Sequence, residues 1–211
     1  VAKRSPQLVR DIHAAGHEVA CHGLTHRTVY TQTPEVFRAE TSEAKQRLED
    51  ATGVPVRGYR AATYSITARS LWALDILEEL GFSYDSSIFP IRHDLYGIPG
   101  SPRFAYRAAS GSLLEVPITT VEYLGQRLPA GGGGYFRLLP YALFRAAVRR
   151  VNTRDQQAAV FYCHPWEIDP GQPRVAGVSA KSRFRHYTNL DRMESRLRRL
   201  LRDFRWGRMD E

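Results

Sequence analysis

The chain has 211 residues, 43% hydrophobic and 25% charged, a balance that supports a packed core and excludes a disordered chain. Its net charge of +8 is concentrated towards one end, and its two cysteines are too few for a disulfide framework. No apolar run approaches the ~20 residues that cross a bilayer, and V-A-K-R-S-P-Q-L-V-R at the start lacks the apolar stretch of a signal peptide, so the expected location is cytoplasmic or membrane-peripheral.

The chain opens on Val1 and runs at once into the amphipathic pattern Leu8, Val9, Ile12, which reads as a piece of a longer protein. Residues 5–15 are expected to be helical and 17–22 a strand. The strand runs into E-V-A-C-H-G-L-T-H (18–26), where Gly23 and the strand-favouring Val19 place His22 and His26 at a strand end entering a turn. Thr33 and Pro34 open a helix through about Ala51, closed by Gly53. V-P-V-R-G-Y-R (54–60) is the next strand, and Thr67 caps a helix carrying Leu71, Trp72, Leu74, Ile76, Leu77 and Leu80, stopped by Gly81. F-S-Y-D (82–85) follows as a strand. This βαβα order predicts a parallel sheet or barrel.

Beyond Asp85 comes a Pro/Gly-punctuated stretch, then L-L-E-V-P-I-T-T-V-E-Y (113–123), glycines 131–134, a helix from about Pro140 and the strand A-A-V-F-Y-C-H-P-W (158–166). No repeat or linker interrupts the pattern, so 1–211 is expected to be one domain. Its tail, 181–208, carries ten Lys/Arg against Asp191, Glu194 and Asp203. Leu190, Met193, Leu197, Leu200, Leu201 and Phe204 give that tail one apolar stripe opposite an arginine-rich face. The tail reads as a solvated helix packed on the domain, or as a face for an anionic membrane surface or acidic polymer. No aromatic-interleaved basic motif points to nucleic acid.

In parallel α/β proteins chemistry gathers at the carboxyl ends of strands, and four strand ends here finish in reactive groups: His22 with His26, Arg60, Asp85 and His164. Neutral imidazoles suit zinc and similar divalent ions, and a hydrolytic site uses three protein ligands, of which two are visible. His164 could protonate a leaving amine, Asp85 could hold that imidazole, and Arg60 could orient a carboxylate base. The alternatives are an Arg60–Asp85 structural ion pair and a packed histidine beside Pro165 and Trp166. Cys21 and Cys163, each preceding a histidine, are expected to be reduced, buried and turned away from the site.

Six ordered blocks carry a family resemblance: H-G-L-T-H (22–26), G-Y-R-A-A-T-Y-S-I (58–66), Y-D-S-S-I-F-P (84–90), G-G-G-G-Y-F-R-L-L-P-Y (131–141), H-P-W-E-I-D-P-G-Q-P-R (164–174) and R-H-Y-T-N-L (185–190). Together they resemble the polysaccharide deacetylases of the NodB-homology class, similar to carbohydrate esterase family 4, and most of all the branch found in exosortase-associated exopolysaccharide loci. The resemblance implies an α/β fold, a distorted (β/α) barrel lacking its first strand or strands, and metal-dependent hydrolysis of N-acetyl groups on an acetylated polysaccharide or oligosaccharide.

By position it makes His22 and His26 metal ligands, with zinc the expected ion. Arg60 orients the base, Asp85 partners the acid and His164 is the general acid. Backbone N–H near Thr63 or Tyr64 would help hold an oxyanion. Tyr135, after the glycines, would line a flexible rim suited to stacking on a sugar, with a plain tight turn as the alternative. Trp166 and Glu167 would line a sugar groove or pack the barrel mouth. Ala62 stands where the family usually has proline, and the family's first motif, an acidic pair supplying a ligand and the base, is expected upstream of Val1. The competing readings are a catalytically inactive carbohydrate-binding fragment and a metallohydrolase acting on phosphate or peptide.

Overall fold

In a computed structural model, which describes residues 1–108 and 111–211, the chain divides into two units, residues 1–117 with 207–211, and residues 118–206. In the first unit, helix α1 (Pro6–Ala14) precedes α2 (Pro34–Thr52). Helix α2 starts and stops as its sequence dictates: the Thr33 hydroxyl accepts from Val36 N at 3.4 Å, Pro34 takes the first helical position, and Gly53 ends it at φ 75°. Four short strands follow in order, β1 (Gly58–Tyr59), β2 (Tyr84–Asp85), β3 (Tyr106–Arg107) and β4 (Leu114–Glu115), with helix α3 (Trp72–Glu79) between β1 and β2. Their spatial order is β1-β2-β4-β3, with β1, β2 and β4 parallel and β3 antiparallel.

The expected α/β order is present, but the described residues form no closed barrel. Residues 17–22 do not make a full strand: Cys21 alone bridges Tyr59 in parallel and extends the sheet beyond β1. The core of the unit is aromatic, with Phe37 edge-on to Tyr59 and Trp72 at 5.8 and 5.6 Å, and Tyr59 edge-on to Phe82 at 5.7 Å. Gly58 faces Tyr84 across the β1–β2 register so closely that a Cβ there would lie 2.1 Å from the Tyr84 ring. Only glycine lets that ring lie across the sheet and donate its hydroxyl to Glu18 Oε1 at 2.6 Å.

The second unit begins with a hairpin, β5 (Thr120–Tyr123) and β6 (Gln126–Pro129), turned by Leu124 and Gly125 at φ 49° and 74°. The apolar run 113–123, read from sequence as one segment, therefore supplies two strands, one to each unit. Helices α4 (Gly133–Leu138), α5 (Tyr141–Thr153), α6 (Ala180–Tyr187) and α7 (Met193–Asp203) follow. The stretch 158–166, expected as a strand, contributes one parallel bridge, Tyr162 with Gly132.

The tail packs through most of its stripe, with Leu201 exposed. Met193 and Leu200 of α7 are fully buried with Phe136 and Phe144, and Leu197 and Phe204 pack against them. Arg196 reaches from this helix to the carbonyls of Phe136, Arg137 and Leu139 at 3.0, 2.8 and 3.1 Å, supplying donors that the end of α4 lacks. Arg198, Arg199 and Arg202 remain exposed. Among the described residues no helix is long and apolar enough to cross a membrane.

Both cysteines are free thiols; Cys21 is buried as expected, but Cys163 is exposed, because the segment before His164 is not embedded in a sheet. Burial pushes both thiols up to about 11, so exposure rather than acidity separates them. A thiol reagent is expected to label Cys163 in the folded protein and Cys21 only after unfolding. Equal rates for both in the native state would contradict this placement.

Candidate functional site

The loop from His22 to Arg27 is shaped by three constraints. Gly23 adopts φ 80° and His26 φ 60°, the latter a left-handed conformation uncommon for a residue with a side chain. Glu40 of α2 holds the loop from outside: its Oε2 accepts from the Thr25 hydroxyl at 2.6 Å, and its Oε1 from Arg27. The two imidazoles lie edge to face with centroids 5.1 Å apart. His22 Nδ1 is 2.6 Å from the Arg60 carbonyl oxygen, which can only accept, so Nδ1 carries a proton and the neutral ring would coordinate through Nε2. This is the tautomer control that metal-binding histidines show. The donor set fits the imidazole part of a zinc-type site, while among the described residues no group of three His, Cys, Asp or Glu could hold a metal ion.

Arg60 leaves the end of β1 with its Nε donating to the Ser86 carbonyl at 3.0 Å and its Nη2 to the Ser86 hydroxyl at 2.8 Å. Those two bonds tie β1 to β2 rather than forming an ion pair with Asp85. The chain then turns through Thr63 and Tyr64, at φ 56° and 52°. Two consecutive left-handed residues, one of them β-branched, cost about 1–3 kcal/mol each and persist only where neighbours enforce them. Enforcement comes from serines: Ala61 N donates to Ser87 Oγ at 2.8 Å, and Ser65 Oγ donates to the Ala62 carbonyl at 2.6 Å while accepting from Val29 N at 2.8 Å. The Tyr64 ring is buried against Phe89 and Tyr96, each at 5.7 Å, and its N–H donates to the Ala61 carbonyl, so it packs the turn rather than facing a ligand. Thr63 is exposed.

Ser87 passes the restraint on to Asp85, its hydroxyl donating to Oδ1 at 2.6 Å and its N–H to Oδ2 at 3.2 Å. Asp85 is fully buried, and across the parallel β2–β4 register its partner is Glu115, equally buried. Glu115 Oε1 accepts from Ile88 N at 2.9 Å, whereas Oε2 is buried and finds no donor among the described residues. Two ionised carboxylates here would set acceptor against acceptor, and a proton on Glu115 turns that clash into a hydrogen bond to Asp85. Burial raises the Asp85 carboxyl above its ordinary range; burial and the Asp85 charge raise Glu115 well above its own.

In the second unit, His164 precedes a short turn of helix at 165–168. Its Nδ1 lies 3.0 Å from Glu167 Oε1, which also accepts from His164 N at 3.0 Å. Glu167 Oε2 accepts from Arg137 Nε at 2.8 Å, and this ion pair is almost wholly buried, at 3% and 2% side-chain exposure, while the His164 side chain is 50% exposed. Burial alone would raise Glu167, but the bonds from His164 and Arg137 and the Arg137 charge hold it below the ordinary carboxylate range. The imidazole therefore has its carboxylate partner three residues along the same segment, the role that the sequence assigns to Asp85. The Asp85 oxygens are committed to Ser87 and Glu115.

Glu167 itself, expected to line a sugar groove, is enclosed, with its oxygens on Arg137 and His164. The Trp166 ring stacks with His164 at 5.4 Å and His186 at 4.1 Å and lies under the Arg137 guanidinium at 5.4 Å, so its π surface serves packing. Three of the four glycines, expected to form a flexible rim, are closely packed, while Gly134 has open space around it. A Cβ at Gly131 would come within 2.5 Å of the Val160 carbonyl, at Gly132 within 2.8 Å of the Tyr162 hydroxyl, and at Gly133 within 2.5 Å of both Glu167 oxygens. Tyr135, at the start of α4, is half-buried. The residues that sequence reasoning missed are Glu40, Glu115 and Arg137. The last two had a signal, each being a lone charge inside an apolar run, L-L-E-V and Y-F-R-L-L.

The family described as polysaccharide deacetylase matches residues 1–84, and the family described as a domain of unknown function, DUF3473, matches residues 86–211. No curated protein matches the chain. Among solved structures, a protein described as a polysaccharide deacetylase from Mycobacterium smegmatis is 25% identical over 78% of this chain and 55% of its own, with a TM-score of 0.52. Puue allantoinase is 17% identical over 99% of this chain and 62% of its own, with a TM-score of 0.59. A protein described as a polysaccharide deacetylase from Pseudomonas aeruginosa PAO1 is 16% identical over 98% and 66%, with a TM-score of 0.54. The last two likenesses show the fold alone. The chain thus spans 55 to 66% of the length of these three structures.

The Asp85–Glu115 pair has a measurable consequence. Both carboxyls are raised on folding, so above the ordinary carboxylate range the folded protein holds more protons than the unfolded chain, and the pair's contribution to stability falls as pH rises towards the folded values. Each extra proton held contributes a slope of about 1.4 kcal/mol per pH unit. Glu115→Gln is expected to flatten the decline of unfolding free energy with pH in denaturant titrations. An unchanged slope would contradict a shared proton.

Proposed function

We propose, for a chain that belongs to the DUF3473 family, that it forms part of a metal-dependent hydrolase removing N-acetyl groups from a polysaccharide, a C–N hydrolase acting on linear amides in exopolysaccharide biosynthesis. The observation that carries the reading is the pairing of His22 and His26 at one loop, with the His22 ring set by its Nδ1–H to the Arg60 carbonyl in the orientation a metal-binding imidazole takes. These two imidazoles would hold a divalent ion, zinc by the nature of the donors, which when bound supplies a Lewis acid for amide hydrolysis.

The remaining roles fall to this chain's own groups. Arg60 orients a carboxylate base through its guanidinium, and the strained turn directs the Thr63 backbone towards the acyl oxygen. His164 gives a proton to the sugar nitrogen as the C–N bond breaks, so that amine and acetate leave as stable products. Tyr135 is the aromatic left to meet a sugar face. The exposed arginines of α7 favour an acidic polymer or an anionic membrane surface as the neighbouring medium. A second reading is a carbohydrate-binding module of this fold without turnover.

Acetate release from N-acetylated oligosaccharides by the complete gene product separates them. Release is expected with added zinc and is expected to stop on chelation. His164→Ala should lower turnover by roughly 10²–10⁴ while leaving metal content unchanged. Binding of the oligosaccharide with no acetate released would favour the second reading, and loss of metal from the alanine variant would make His164 a ligand.

A further inference from the structure

We propose that Glu167, locked by Arg137, is the positioning residue of His164, fixing the imidazole through Nδ1 so that Nε2 is the nitrogen presented for proton transfer. This rests on the reading of His164 as proton donor to the departing amine. Glu167 has no freedom to do anything else. Its Oε2 is bound to Arg137 Nε at 2.8 Å, and Arg137 is itself anchored by the carbonyls of Arg185, His186 and Thr188 at 3.0, 3.1 and 2.6 Å. Its Oε1 takes both the backbone N–H and the ring Nδ1 of His164 at 3.0 Å, so one oxygen ties the imidazole to its own main chain.

The carboxylate is enclosed, and Gly133 is the reason it fits, since any side chain there would displace it. An ionised carboxylate only accepts, so the neutral imidazole must carry its proton on Nδ1. The second proton of the imidazolium then sits on Nε2, on a half-exposed ring, and leaves it for the amine nitrogen as the C–N bond breaks. The neutral Nδ1–H imidazole is left behind. Trp166, stacked on the His164 ring at 5.4 Å, restrains its tilt.

Nitrogen NMR of the complete gene product, labelled in its histidine rings and assigned with His164→Asn, reads the tautomer directly. The wild-type ring is expected in the Nδ1–H form; the Nε2–H form would overturn the proposal whatever the enzyme's activity. Glu167→Gln has one oxygen and one amide group to share, and the buried Arg137 takes the oxygen. The amide N–H then faces Nδ1 and should flip the ring to the Nε2–H tautomer, with kcat for acetate release falling roughly 10²-fold or more and KM little changed. Retention of the wild-type tautomer and kcat in that variant would also overturn the proposal. Where the variant does not fold, the wild-type tautomer decides alone. An Nδ1–H ring in a protein that releases no acetate would uphold the positioning and refute the functional reading.

Discussion

A carboxylate taken out of water must be neutralised by a proton or met by a cation, and each unit of this chain is built around one of these solutions. In the first, Asp85 and Glu115 sit side by side on adjacent parallel strands, and one proton between them removes the repulsion. In the second, Glu167 stays ionised because Arg137 is buried with it. Removing one partner of the buried Arg137–Glu167 ion pair would leave an uncompensated charge, at a cost of about 3–5 kcal/mol. The surrounding geometry follows: the parallel β2–β4 register brings Asp85 opposite Glu115, and Gly133 leaves the space that the Glu167 carboxylate fills.

Each carboxylate also works at a distance through its hydrogen bonds. Asp85 acts through Ser87 on Ala61, two residues before the left-handed turn at Thr63 and Tyr64, so the buried pair underwrites a strained backbone that would otherwise relax. Glu167 acts directly on His164. Glu40 does the same for the loop of His22 and His26, binding Thr25 and Arg27 between them. Candidate functional residues here stand on irregular backbone, and the acid that holds each segment comes from elsewhere in the same unit or from the segment's own next turn.

Much of this architecture was legible because it is local. Thr33, Pro34 and Gly53 bound a helix through hydrogen bonds within a few residues, and the stripe from Leu190 to Phe204 announces the face of α7 that packs. Strand content was overstated because alternation of residue types sets which face a side chain takes, not whether a neighbouring strand is there to pair; residues 17–22 and 158–166 each make a single bridge. The pairing of Glu115 with Asp85, and of Arg137 with Glu167, spans about thirty positions in each case and leaves no periodic trace. A lone charge in an apolar run signals burial, but its partner is fixed only by the fold. Three of the four glycines misled for a related reason: flexibility and close packing both demand the absence of a Cβ, and only the neighbours of Gly131, Gly132 and Gly133 distinguish them.

The two solutions to carboxylate burial can be compared in one measurement. Carbon-13 NMR of glutamate carboxyl groups at neutral pH, with Glu115→Gln and Glu167→Gln used to assign the signals, reports the ionisation of each directly. Glu115 is expected at a protonated shift and Glu167 at an ionised one in the same sample. Finding both ionised, or Glu167 protonated, would contradict the charge arrangement on which the two units are built.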